Sequence, residues 1–246
     1  MHKGSFQFLH RMRVRWVEVD MQKIVFNAHY LMYIDTAVAD YWRALGLPYE
    51  SALAQLGGDL FVKKAGLEYH ASARYDDLLD VGLRCARIGT SSITFVAAIY
   101  RAETLLVTGE LIYVYADPKT QQSKPVPPDL REIFEAFESA QPMVHVQIGT
   151  WTQLQPLVAR LRTEVLVDEL GMEPSLVFDA ADADAQHACL RNRLGQTIAV
   201  ARRTVDTTGA VKVDKIAVQR ALRGVGLGKR VAHALAESST TMQNTI

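Results

Sequence analysis

The stretch "VRWVEVDMQKIVFNAHYLMYID", residues 14 to 35, joins two patterns of different period. On its near side "MRVRWVEV" alternates and predicts a strand within Phe6 to Val19. On its far side, from Ala28 to Leu45, residues Leu31, Ile34, Val38, Tyr41 and Leu45 recur at intervals of three and four, the pattern of one buried helix face. Gly46, Leu47 and Pro48 end that helix. Asp20 stands between the two, on the connecting loop. A carboxylate ahead of a helix can cap it or favour its positive end, but Asn27 stands nearer and serves better as a cap. The other reading is chemical. A helix start wrapped by a sheet offers free N–H groups that polarise a carbonyl oxygen. An acid facing that site acts as nucleophile or as base toward water. An ordinary aspartic acid, with a pKa of about 3.9, is ionised at neutral pH and suits both roles. Glu18, on the same face of an extended segment as Asp20, reads by default as a solvated charge at the strand end, with a paired-acid role beside Asp20 as the alternative.

Working outward, Ser51 to Leu56 is expected as a short second helix before Gly57 and Gly58. Four β-rich runs follow, at Leu60–Ala71, Leu78–Ile88, Ser92–Arg101 and Leu105–Ala116, and the short turns between the last three suggest an antiparallel meander. "DPKTQQSKPVPP" is a loop by composition, and Asp129 to Phe137 a short amphipathic helix. "ESAQP" (138–142) reads as a domain junction. Beyond it come a strand at 143–148, a helix capped by Thr152 and running to about Val167, and weak strands at Ser175–Phe178 and Ala185–Arg191. Clearer strands at Thr197–Thr204 and Val211–Val218 precede a last helix from about Leu227 to Glu237.

The 246 residues are nearly half hydrophobic, enough for two cores, and carry no net formal charge, which argues against nucleic acid as a partner. Cys85 and Cys189 are far apart, without zinc spacing, and read as core thiols in a reducing compartment. No leader and no apolar run of about 18 residues is apparent, so a cytoplasmic protein is expected. "YDDLLD" (75–80) reads as an acidic turn rather than a metal cluster, since no histidine accompanies it at ligand spacing. No metal is expected. Tyr41 and Trp42 are expected in the core.

"VEVDMQKIVFNAHYLMYID" resembles the signature of hotdog-fold acyl-CoA thioesterases of the 4-hydroxybenzoyl-CoA thioesterase family, of the YbgC/FadM type. The resemblance continues through "YHASARYDDLLDVGLRCARIGTSSITF" and covers about residues 6 to 138. It implies Asp20 as the catalytic acid, Asn27 at the His/Asn position of the helix start and Tyr30 at the tyrosine that follows. It also implies helix-start amides of Ala28, His29 or Tyr30 against the thioester oxygen. "GTSS" (89–92) would lie along an arm of CoA or serve as polar turn residues. Lys23 stands where many relatives have glycine, which is expected to keep the loop from taking positive φ freely there. The resemblance further implies hydrolysis without a cofactor, coenzyme A or acyl-CoA as substrate or ligand, and a homodimer or homotetramer.

In the second half "VDKIAVQRALRGVGLGKRV" (213–231) places RxxGxG after a strand and before a helix. Glycines there let a backbone approach phosphates. The loop, with "RTEVLVDELGM" (162–172) and "DADAQHACLRNRLGQTIAVARR" (182–203), is similar to the GNAT acetyltransferase superfamily. That resemblance implies a pantetheine contact from the Val218 backbone and a pyrophosphate site formed by Arg223, Gly224, Val225, Gly226, Leu227 and Gly228. Only 18 residues follow Gly228, and the final "SSTTMQNTI" is too short for the further strand, helix and strand of that fold, so this domain is expected to be incomplete.

The expected architecture is therefore α+β. A hotdog thioesterase domain, an antiparallel sheet around a long helix, occupies residues 1–140, and a partial GNAT-like α/β domain residues 141–246. Two rivals stand beside acyl-CoA hydrolysis: an N-acetyltransferase with a hotdog dimerisation module, and a non-enzymatic acyl-CoA binder.

Overall fold

The structure is a computed structural model and describes residues 1–242, with side chains through Glu237. The last four residues of the "SSTTMQNTI" tail lie outside the described residues. The chain divides into two compact units, Met1–Leu45 with Tyr49–Pro142, and Gly46–Pro48 with Met143–Ile246. Among the described residues no helix is long and apolar enough to cross a membrane.

The first unit is a five-stranded antiparallel sheet bearing one long helix, the hotdog arrangement. Its strands are β1 (Phe8–Arg13), β2 (Asp59–Tyr69), β3 (Leu78–Ile88), β4 (Ser92–Arg101) and β5 (Thr104–Ala116), in the order β1-β3-β4-β5-β2. The helices are α1 (Asn27–Ala44), α2 (Tyr49–Leu56) and α3 (Pro128–Glu138). The first strand is shorter than its alternation suggests. It ends at Arg13, and Trp16–Glu18 forms a 3₁₀ turn instead of continuing to Val19. The face that α1 buries carries Tyr30, Tyr33, Ile34, Ala37, Tyr41 and Trp42. Leu31, placed on that face by the spacing, is 37% exposed, because the larger aromatic residues one turn position away take the sheet side. Gly109 makes the approach possible: a Cβ there would stand 3.0 Å from both Ile34 Cδ1 and Leu67 Cδ2. Glu138, at the end of α3, accepts from the Tyr41 hydroxyl at 2.6 Å and the Cys85 amide at 2.8 Å, tying α1, α3 and β3 together.

The second unit holds a four-stranded antiparallel sheet, β6 (Val144–Thr150), β7 (Gln186–Asn192), β8 (Thr197–Val205) and β9 (Val211–Val218), in sequential order. Helix α4 (Trp151–Arg162) begins after Thr150, whose amide donates to Gln153 Oε1 at 2.9 Å, so Thr150 and not Thr152 is the cap. It passes into a π-helical segment, Thr163–Glu169. Ser175–Phe178 is not a strand. Pro174 starts the single-turn helix α5 (Pro174–Val177), whose Pro174 carbonyl accepts from the Phe178 amide at 2.8 Å. Helix α6 (Leu227–Met242) runs past Glu237. Ile198, Ala199, Val200 and Ala201 are all fully buried, so both faces of β8 are covered.

An ionic cluster with a buried centre, Arg162, Asp182, His187 and Arg202, lies in this unit. Arg162 donates to Asp182 Oδ1 at 2.8 Å and contacts His187 Nδ1 at 3.0 Å, while Arg202 bridges Asp182 and Asp214. Burial pushes the His187 pKa down.

Candidate functional site

Asp20 sits at the head of a tight turn. Its amide donates to the Ile24 carbonyl and its carbonyl accepts from the Lys23 amide, both at 2.9 Å, while Oδ1 accepts from the Gln22 amide at 2.8 Å. Val19 and Val25 form an isolated antiparallel bridge, and the Phe26 amide donates to the Glu18 carbonyl at 3.0 Å. Residues 18–26 therefore make a miniature ladder closed by the Asp20 turn. Lys23 adopts φ +59°. The expectation that lysine keeps this loop from positive φ is corrected: the left-handed region is small but allowed for a non-glycine residue, and the hydrogen bonds of the turn hold it there.

The ladder delivers the chain into α1. Phe26 occupies the cap position without a side-chain cap, and Asn27 is the first helical residue, its side chain exposed. Asn27 therefore does not cap the helix. Of the amides at this end, Phe26 is taken by Glu18 and His29 by the Phe26 carbonyl at 2.9 Å. Among the described residues, the amides of Asn27 and Ala28 have no acceptor. Ala28 is exposed, and the half-buried His29 ring stacks on Tyr33 with centroids 6.5 Å apart. Tyr30 is buried, and its hydroxyl accepts from the Ala73 amide at 2.8 Å. The Ala73 carbonyl accepts from Val25 at 2.9 Å, so the segment after β2 grips both the ladder and the helix.

Glu18 departs furthest from expectation. It is 1% exposed, not a solvated strand-end charge. Oε2 accepts from the Arg15 amide and the Tyr33 hydroxyl, each at 2.7 Å, and Oε1 from Arg15 Nε at 2.7 Å. Burial alone would raise its pKa. The Arg15 amide, the Tyr33 hydroxyl and the Arg15 guanidinium outweigh that and hold the carboxyl below its usual range. The 3₁₀ turn turns its side chain inward, which alternation cannot anticipate.

"YDDLLD" opens β3 as a turn held by ion pairs. Asp76 pairs with Arg13 at 2.9 Å, Asp77 with Arg101 at 2.9 Å, and Asp80 with Lys3 and Arg11 at 2.7 Å each. Among the described residues, no group of three His, Cys, Asp or Glu side chains is placed to hold a metal ion.

In the second unit, Arg223 to Gly226 lie between β9 and α6, with Gly224 at φ +87° and Gly226 at φ +86°. A Cβ at either would meet nothing, so backbone conformation and not space calls for glycine. The Arg223 side chain is occupied. Its terminal nitrogens pair with both Glu169 oxygens at 2.6 and 2.7 Å, and Nε donates to the Val218 carbonyl at 3.1 Å.

Residues 14–134 match the family model described as the thioesterase-like superfamily. The chain is similar to a putative esterase of Aquifex aeolicus, 29% identical over 96 residues, which are 39% of this chain and 74% of that protein. It is similar to the acyl-CoA thioester hydrolase YbgC of Escherichia coli, 28% identical over 116 residues, which are 47% of this chain and 86% of the relative. Among solved structures it resembles a Staphylococcus aureus protein in complex with CoA, 18% identical, covering 55% of this chain and 85% of that one with a TM-score of 0.50. The N-terminal half of this chain is a thioesterase-like hotdog domain.

Proposed function

We propose that the first unit hydrolyses an acyl-CoA thioester to a free acid and CoA. The observation that carries this reading is the ladder of residues 18–26, which runs from the closed turn at Asp20 directly into a helix start whose Asn27 and Ala28 amides are unpartnered. The segment holding both matches a relative named an acyl-CoA thioester hydrolase. The thioester oxygen rests against the Ala28 amide, with that of Asn27 beside it, and the amides stabilise the negative charge that develops there. Asp20 either takes a proton from a water that attacks the carbonyl carbon and expels the CoA thiolate, or attacks that carbon itself. In the second case the CoA thiolate leaves an aspartyl mixed anhydride, which water then hydrolyses to the free acid and the regenerated carboxylate. The Asn27 side chain, exposed at the same helix end, contacts the substrate. His29 and Tyr30 shape the site, Tyr30 by holding α1 to the Ala73 segment. The chemistry asks for no cofactor.

The site lies among exposed apolar residues: Trp16 is 73% exposed, Val17 75%, Met21 101%, Phe26 48% and Met32 53%. Covering such residues by a second copy of the chain is the reading that best accounts for them, and the active unit is a homo-oligomer. For the second unit the resemblance to GNAT proteins supports an acyl-CoA-binding role, with the Val218 backbone on the pantetheine and the 223–228 loop on the pyrophosphate. The positive-φ glycines ahead of α6 support it. The test is thiol release from a panel of acyl-CoAs: turnover supports hydrolysis, and binding without turnover supports a binder.

A further inference from the structure

We infer that Glu18 is a positioning residue of the thioesterase site: its buried carboxylate locks the Asp20 turn to helix α1 and so sets the nucleophile or base against the Asn27 and Ala28 amides. The inference rests on the reading of Asp20 given above.

Three connections converge on this residue. Its carboxylate binds back to Arg15 through the amide and the guanidinium, fixing the 3₁₀ turn that leads into the ladder. It binds forward to the Tyr33 hydroxyl, on the second turn of α1. Its backbone carbonyl takes the Phe26 amide, the one immediately before the two left unpartnered. Glu18 thus ties down the residue immediately before the two unpartnered amides, and holds the helix start in register with a turn that begins two residues away. Exposed salt bridges contribute little, and the Arg15 side chain is largely exposed, but the Glu18 carboxylate is 1% exposed and its bond to the Tyr33 hydroxyl is buried. Misplacing reacting groups by about 1 Å costs on the order of a hundredfold in rate. A group that sets a separation of this kind shows itself in turnover more than in binding.

The test compares Glu18→Gln, Tyr33→Phe and Asp20→Asn in the full chain. Tyr33→Phe removes only the forward link and retains the buried ring, so it decides the matter if Glu18→Gln does not fold. For either variant kcat is expected to fall about tenfold with KM changed less than about twofold. Combined with Asp20→Asn, the further loss is expected to be below about threefold, because groups acting as a unit are not additive. An independent readout needs no turnover: amide hydrogen exchange at Phe26 is expected to speed up about tenfold in Tyr33→Phe. Unchanged kcat and unchanged Phe26 exchange in Tyr33→Phe, with activity lost in Asp20→Asn, overturn the positioning role and leave the hydrolase reading standing. Full activity in Asp20→Asn overturns the reading itself, and the positioning role falls with it.

Discussion

Ala73 holds Tyr30 from outside the helix: its amide donates to the Tyr30 hydroxyl at 2.8 Å, while its carbonyl accepts from Val25 at 2.9 Å. One residue thus fastens helix α1 and the ladder carrying Asp20 to the same segment after β2. Tyr30→Phe strands the buried Ala73 amide, and an unsatisfied buried donor costs about 1–3 kcal/mol. The expected outcome is a loss of that size in urea denaturation of the full chain, with KM for the acyl-CoA little changed. A large rise in KM at unchanged stability contradicts it.

Lys23 at φ +59° makes the Asp20 turn sensitive to side-chain shape. A β-branched residue tolerates that region poorly, and the left-handed conformation costs roughly 1–2 kcal/mol for an ordinary residue. Lys23→Val is expected to destabilise the protein and to slow turnover, whereas Lys23→Gly retains both. Chemical denaturation with parallel kinetics checks this. Equal behaviour of the two variants contradicts it.

Arg223 pairs with Glu169, so a pyrophosphate held by the glycine loop, as proposed, would compete with that carboxylate for the guanidinium. The hydrogen bond between them, with their mutual charge, lowers the Glu169 pKa and raises that of Arg223. Both groups are part-exposed, so the pair is worth little and its removal has a modest effect. Glu169→Gln is expected to tighten CoA binding by about two- to fivefold in calorimetry. Arg223→Ala is expected to weaken it. Indifference of CoA affinity to both substitutions contradicts a pyrophosphate site at this loop.

His187 gives the second unit a pH dependence of definite sign. Its folded pKa lies below the ordinary 6.5 because burial disfavours the charged ring, and the facing Arg162 and Arg202 act the same way, although Asp182 opposes them. A lowered histidine pKa means that the unfolded chain binds the proton more readily. Its contribution is therefore complete above 6.5 and is lost as the pH falls toward the folded value. Thermal unfolding of the full chain is expected to drop between about pH 7 and pH 5.5, and to drop less in His187→Gln. An equal acid drop in both proteins contradicts the assignment.

The sheet of the first unit was legible because half-buried strands alternate and turn residues punctuate them. β3 and β4 fall at the boundaries that alternation suggests. The helix face was less so: Leu31 and Tyr30 are adjacent, both can satisfy a three-four spacing, and only packing against Gly109 and the sheet decides between them. Asp20 was legible as an acid with no cap to serve. Glu18 was not, because a 3₁₀ turn replaces the strand and turns inward a carboxylate that period-two reasoning puts in solvent. Ala73 carries no chemical signal in its side chain, since its role is played entirely by its backbone. The buried Arg162, Asp182 and His187 cluster is likewise hidden, for Arg162 lies 20 and 25 residues from its two partners and meets them only in the folded unit.

The most direct measurement is thiol release from a panel of acyl-CoAs by the wild-type protein and by Asp20→Asn, followed with a thiol-reactive dye. The account predicts release by the wild type that falls at least about a hundredfold in the variant, the loss expected when a group acting in the transition state is removed. Release that Asp20→Asn leaves intact, or no release from any acyl-CoA, contradicts it.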